Sequence, residues 1–146
     1  MNTKSGIAVD LFKNKGFLCS QAVLESHSIE YGLDSTISRK IASAFGGGMS
    51  HCNETCGAVS GALMLIGLKY GQSEEGDSDS RINTYKIAKN YIQKFKEEFG
   101  SVKCTELIKY NLSIENELLK ARESGVFKTI CPLLVKRSVE LIEEIL

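Results

Sequence analysis

Gly46-Gly47-Gly48-Met49-Ser50-His51-Cys52-Asn53-Glu54-Thr55-Cys56-Gly57-Ala58-Val59-Ser60-Gly61 is the stretch whose reading decides the fold. The glycine triplet stops one helical segment. A second then carries Cys56, Ala58, Val59, Ala62, Leu63, Leu65 and Ile66, with Asn53 or Thr55 as its expected N-cap. That segment is apolar nearly all round and rich in small residues. This is the pattern of a central, buried helix, or of one packed against a second copy.

Working outward, helical spacing recurs on both sides. Ile7, Ala8, Leu11 and Phe12 form one stripe, closed by Gly16. A second helix begins near Cys19 and runs through Ala22, Val23, Leu24 and Ile29 to Tyr31-Gly32. Asp34 and Ser35 offer capping oxygens to a short helix through Ile37, Ile41 and Ala44. Downstream, Gly71 to Ser80 reads as a polar surface loop. A long helix from about Ser80 to Phe99 follows, with Ile82, Tyr85, Ala88, Ile92, Phe95 and Phe99 as its expected buried stripe. Cys104 opens a short helix through Leu107 and Ile108. Ser113 to Glu123 is a helix or loop with Leu118 and Leu119 facing inward. The last helix is expected to start at Cys131-Pro132, because proline suits a first helical turn, and to bury Leu134, Val135, Val139, Leu141 and Ile142. The expectation is an all-α, single-domain bundle of about six to seven helices spanning 1–146, with no internal repeat.

Composition narrows the function. The 146 residues are 42% hydrophobic and 25% charged, with a formal net charge of zero, which implies no general attraction to nucleic acid or anionic membrane. Lys86, Lys89, Lys94 and Lys96 alternate with Glu97 and Glu98 in one helix, so no nucleic-acid stripe forms. No segment reaches the roughly 20 apolar residues that span a bilayer. The N-terminal residues show no apolar run with a cleavage site. A cytoplasmic location without membrane insertion is expected. Near-neutral charge and the apolar central helix leave a homodimer open.

In a reducing compartment an odd set of five cysteines does not suit a closed disulfide framework, so metal binding, redox chemistry or simple burial must explain it. Cys19, Cys56, Cys104 and Cys131 all fall near expected helix starts, where free backbone amides and the helix dipole stabilise thiolates. If the fold brings them together, they suit an iron–sulfur or zinc site. There is no Cys-x-x-Cys pair, and Cys52 and Cys56 stand four apart. His51 is a candidate further donor or proton carrier and Glu54 a candidate general base, though solvation suits both; His27 reads as structural or exposed. No Lys-Ser/Thr follows the triplet, so a phosphate-binding loop is excluded. Gly46, Gly47, Gly48 and Gly57 are instead expected to let backbone approach something bulky, whether a cluster, a cofactor or another subunit.

The cysteine segments resemble a family of small redox proteins named for its C, CGAxxG, C, C pattern. The resemblance rests on Phe17-Leu18-Cys19-Ser20-Gln21-Ala22-Val23, Ala44-Phe45-Gly46-Gly47-Gly48-Met49, Glu54-Thr55-Cys56-Gly57-Ala58-Val59-Ser60-Gly61, Cys104-Thr105-Glu106-Leu107 and Cys131-Pro132. It implies a helical redox protein of anaerobic prokaryotes. It also implies similarity to the N-terminal cysteine domain of split-Soret cytochromes, where an iron–sulfur cluster has been proposed. Carried over, Cys19, Cys56, Cys104 and Cys131 become the candidate ligands, and Cys52 is an extra thiol that could replace or supplement one of them. No Cys-x-x-Cys-His is present, so the haem-bearing part is absent. The resulting expectation is an electron-transfer protein with an iron–sulfur cluster and a redox partner still to be identified. A metal-free thiol–disulfide protein, with Cys56 as nucleophile and Cys52 resolving, is the first alternative. A structural zinc-binding or partner-binding helical module is the second.

Overall fold

The computed structural model describes residues 3–146, and among them the chain is all-helical. The eight helices are α1 Lys4–Asn14, α2 Cys19–Ser28, α3 Ser35–Ala42, α4 Gly57–Tyr70, α5 Ser78–Phe99, α6 Cys104–Ile108, α7 Glu115–Ser124 and α8 Val126–Ile145. The segment left open as helix or loop is thus a helix, α7. Short side chains start several of these elements. Asp34 accepts the Ile37 N–H at 3.0 Å, and Asp77 accepts the Ser80 N–H at 3.1 Å. Among the described residues, no helix is long and apolar enough to cross a membrane.

Helix α4 occupies the centre, as its all-round apolar sequence requires. It packs chiefly on α2, and the spacing of Gly57 and Gly61 explains how closely. A Cβ added at Gly61 would stand 2.8 Å from the Ser20 carbonyl oxygen and 3.1 Å from Val23 Cβ, inside normal contact distance. The main core gathers Val23, Leu24, Val59, Leu65, Ile66, Tyr91, Phe95, Val135, Val139 and Ile142. One polar chain runs through it. The fully buried Tyr91 hydroxyl pairs with Ser138 Oγ, which donates to the Ala58 carbonyl at 2.7 Å, so three helices share a satisfied network. A second, smaller cluster of Cys104, Ile108, Leu112, Ala121 and Val126 lies beside the first.

Several expectations are corrected. Ile82 and Tyr85 are more than half exposed, because α5 buries only its second half, through Tyr91 and Phe95. Leu119 is exposed while Leu118 packs inward. His27, expected to be structural or exposed, is structural: it is buried, with Nδ1 2.8 Å from Ser26 Oγ. The N-cap of α4 is Cys56, rather than Asn53 or Thr55. The last helix begins at Val126, so Cys131 and Pro132 sit inside it. Gly125, at φ 81°, ends α7 in the left-handed conformation, and its carbonyl then accepts the Lys128 N–H at 2.9 Å to launch α8. A turn and a half of helix therefore precedes the proline, whose missing N–H leaves one rung of the ladder unmade.

Candidate cysteine site

Four elements converge on one cavity of about 240 Å³, whose lining includes Cys19, Cys56, Cys104 and Cys131. Cys19 is the first residue of α2, Cys56 caps α4, Cys104 is the first residue of α6, and Cys131 projects from the second turn of α8. Cys19 and Cys56 belong to the main core; Cys104 and Cys131 belong to the smaller cluster. The cavity is thus the seam between the two. Two backbone bonds align its facing edges. Cys56 N–H donates to Val102 at 2.7 Å and Cys104 N–H to Glu54 at 2.9 Å, flanking an antiparallel bridge between Thr55 and Lys103.

The glycine triplet forms a feature that no sequence pattern anticipates. Gly47, Gly48, Met49, Ser50 and His51 all have positive φ, from 60° to 70°, so residues 47–51 form a left-handed helical turn. For each non-glycine residue this conformation costs roughly 1–2 kcal/mol. Asn53 adds a further positive φ of 63°. Compensation comes from specific bonds: Ser50 Oγ donates to the Ala44 carbonyl at 2.9 Å, and Glu54 N–H donates to Gly48 at 3.0 Å.

The glycines are packed tightly by the protein itself. A Cβ at Gly48 would lie 2.6 Å from Cys104 Cβ, one at Gly57 would lie 2.5 Å from Cys19 Sγ, and one at Gly46 would lie 2.9 Å from Leu18. Gly47 carries the His51 ring against it. Gly47, Gly48 and Gly57 line the cavity. Their missing side chains let Cys19 and Cys104 approach Cys56 and the turn.

Electrostatics set Cys19 apart. A hydrogen bond from the Cys56 thiol lowers its pKa to about 7 against the opposing effect of burial, and the backbone N–H groups of Gly47 and Ser20 reinforce the shift. The same bond, followed by burial, drives Cys56 well above the ordinary thiol value. Burial, then the charge of Cys19, pushes Cys104 up to about 11. Burial, then Cys19 and Cys104, pushes Cys131 up to about 12. The four sulfurs therefore form one electrostatic unit in which a single thiolate is favoured near neutral pH.

The remaining candidates separate from this unit. Cys52 is exposed, its thiol 3.8 Å from the Ser50 carbonyl, and it does not line the cavity. Glu54 is exposed; its contribution is its backbone. His51 is exposed but lines the rim, as does Arg122 from α7. Among the described residues no carboxylate lines the cavity, and its remaining walls are largely apolar, including Phe12, Leu107, Leu112, Phe127 and Leu134. Such a donor set is soft and thiophilic, the kind that takes iron–sulfur or zinc rather than hard cations. Among the described residues, however, no three His, Cys, Asp or Glu side chains gather closely enough to enclose a single metal ion. The thiols surround a space; they do not meet at a point.

Two residues, Arg122 at the cavity and Asn53 beside it, take places that the sequence expectations did not assign to them. Arg122 carried no signal beyond its helical phase with Leu118. Asn53 did carry one: it follows a glycine triplet, and asparagine tolerates left-handed backbone, which makes a turn as natural a reading as a cap.

No curated protein and no solved structure matches the chain. A family model, described as "Putative redox-active protein (C_GCAxxG_C_C)", matches residues 17–145, a span that includes every cysteine and the left-handed turn. With four of its cysteines on one cavity and nearly its whole length matched, the chain belongs to the C_GCAxxG_C_C family.

Proposed function

We propose that the protein is an electron-transfer protein whose Cys19, Cys56, Cys104 and Cys131 hold an iron–sulfur cluster. One observation carries this reading: four cysteines from four separate elements line the same largely apolar cavity, and the fifth does not. Four thiolate donors on apolar walls are the ligand set that an iron–sulfur cluster takes. When bound, such a group supplies one-electron redox chemistry. The chain's own residues supply thiolate donors, backbone N–H groups beside Cys19, and apolar walls that limit water at the sulfurs. Binding releases the thiol protons that the Cys19 hydrogen bond, then burial, holds on Cys56, and that burial holds on Cys104 and Cys131, in the metal-free chain. Anaerobically purified protein is expected to contain iron and acid-labile sulfide and to absorb in the visible. Colourless, iron-free protein after reconstitution would overturn the proposal.

A second reading has its own observation: Cys19 Sγ lies against Gly57, next to Cys56 in the chain, and the Cys56 thiol is the chief influence lowering the Cys19 pKa. In dithiol chemistry the Cys19 thiolate attacks a disulfide substrate, forming a mixed disulfide and expelling one thiolate. Cys56 loses its proton and attacks Cys19, expelling the second, so two electrons pass to the substrate, whose two thiolates take one proton from Cys56 and one from solvent. Cys56 is here the resolving thiol, and the exposed Cys52 takes no part. A Cys19–Cys56 disulfide in oxidised, metal-free protein, mapped by peptide mass analysis, would favour this reading.

A further inference from the structure

We propose that Asn53 is the positioning residue that clasps the second half of the site, the segment from Cys104 to Ser113, onto the first. Its side chain does not line the cavity, yet it makes four hydrogen bonds to that one segment. Oδ1 accepts from Thr105 Oγ1 at 2.5 Å and from the Leu112 N–H at 3.2 Å. Nδ2 donates to Asn111 Oδ1 at 2.6 Å and to Ser113 Oγ at 3.1 Å. The Leu112 N–H can only donate, which fixes the orientation of the amide. Thr105 directly follows Cys104, and Leu112 lines the cavity.

The backbone of Asn53 is constrained as tightly as its side chain. At φ 63° it follows the left-handed turn, and the next residue, Glu54, donates to Gly48 and accepts from Cys104 N–H. One side chain thus joins the strained turn, the extended segment leading to Cys56 and the cap that carries Cys104. No other side chain makes four hydrogen bonds to a segment more than fifty residues away, among the described residues.

The test uses anaerobically purified protein and reads the alkylation rate of each cysteine by mass spectrometry. Asn53→Gly keeps the left-handed backbone and removes all four bonds. Asn53→Asp keeps both accepted bonds and loses the donated pair. Cys104 labelling is expected to rise on the order of tenfold in Asn53→Gly and less in Asn53→Asp, with Cys52 unchanged. Buried Cys56 controls for general unfolding. Unchanged Cys104 protection in Asn53→Gly, or an equal gain at Cys56 and Cys104 in both variants, overturns the proposal. The inference rests on the cysteine site, but iron-free wild-type protein would defeat only the cluster reading, since the graded protection of Cys104 is read with or without metal.

Discussion

Gly57 and Gly67 lie in the same helix, and the same substitution at each should have opposite consequences. A Cβ at Gly57 meets Cys19 Sγ at 2.5 Å and the Phe45 carbonyl oxygen at 3.0 Å, so Gly57→Ala forces α2 away from Cys56. The expected loss is about 1–3 kcal/mol, together with the Cys19–Cys56 contact. At Gly67 nothing lies within 4 Å, and Gly67→Ala should stabilise α4 by roughly 0.5–1 kcal/mol. Urea midpoints of the two variants decide both, and equal shifts of the same sign would contradict this account of the motif. The sulfur chemistry is also readable residue by residue. In metal-free, reduced protein the alkylation rate of Cys19 should rise with pH as the thiolate forms, reaching half its plateau at about 7. A half-point near the ordinary thiol value of 9.0 would show that the Cys56 hydrogen bond does not form. The four cysteines that line the cavity stand in a recognisable order legible in the sequence, but only Cys19, Cys56 and Cys104 mark helix starts, while Cys131 lies inside α8. The asymmetry between Cys19 and the others was not legible. It depends on a hydrogen bond between two residues distant in the chain, and no spacing rule encodes that.

At the scale of the element, the left-handed turn is the least expected part of the molecule. A glycine triplet signals a helix stop, and the stop is where the sequence places it. The handedness beyond it was hidden, because Met49, Ser50 and His51 each disfavour positive φ and only tertiary bonds hold them there. Met49 is partly exposed, so Met49→Gly removes that penalty at little loss of packing and should raise stability by about 1 kcal/mol. A drop in the thermal midpoint would mean that the Met49 side chain contributes more than its backbone costs. The start of α8 was misread for a related reason. Pro132 favours a first turn, but the left-handed Gly125 had already begun the helix and placed Cys131 on the face shared with Phe127 and Leu134, both of which line the cavity. Local preference yielded to a neighbouring turn signal. Helices α1, α2 and α6 lie close to where spacing and turn signals put them, but in α3 the expected stripe of Ile37, Ile41 and Ala44 faces solvent and Ser38 and Ala42 are buried instead.

For the whole molecule, the division into two apolar clusters matters more than the helix count. The larger cluster is built on α4, which the sequence marks as central. The smaller one, from Cys104 to Val126, rests on short helices and the Asn53 bonds. Segments with few buried contacts open first, so amides of α6 and α7 should exchange at least about tenfold faster than those of α4 in metal-free protein. A group held by all four cysteines ties the clusters together and should slow that exchange; equal exchange before and after reconstitution would contradict a shared site. The seam itself was invisible in the sequence, where Cys19 and Cys131 stand at opposite ends. The central claim is that four thiols form one site and the fifth stands apart. The most direct test is the iron and acid-labile sulfide content of anaerobically reconstituted single-serine variants. Cys52→Ser should retain the wild-type content, while Cys19→Ser, Cys56→Ser, Cys104→Ser and Cys131→Ser should each lose most of it. An iron-free wild type, or loss confined to Cys52→Ser, would contradict the account.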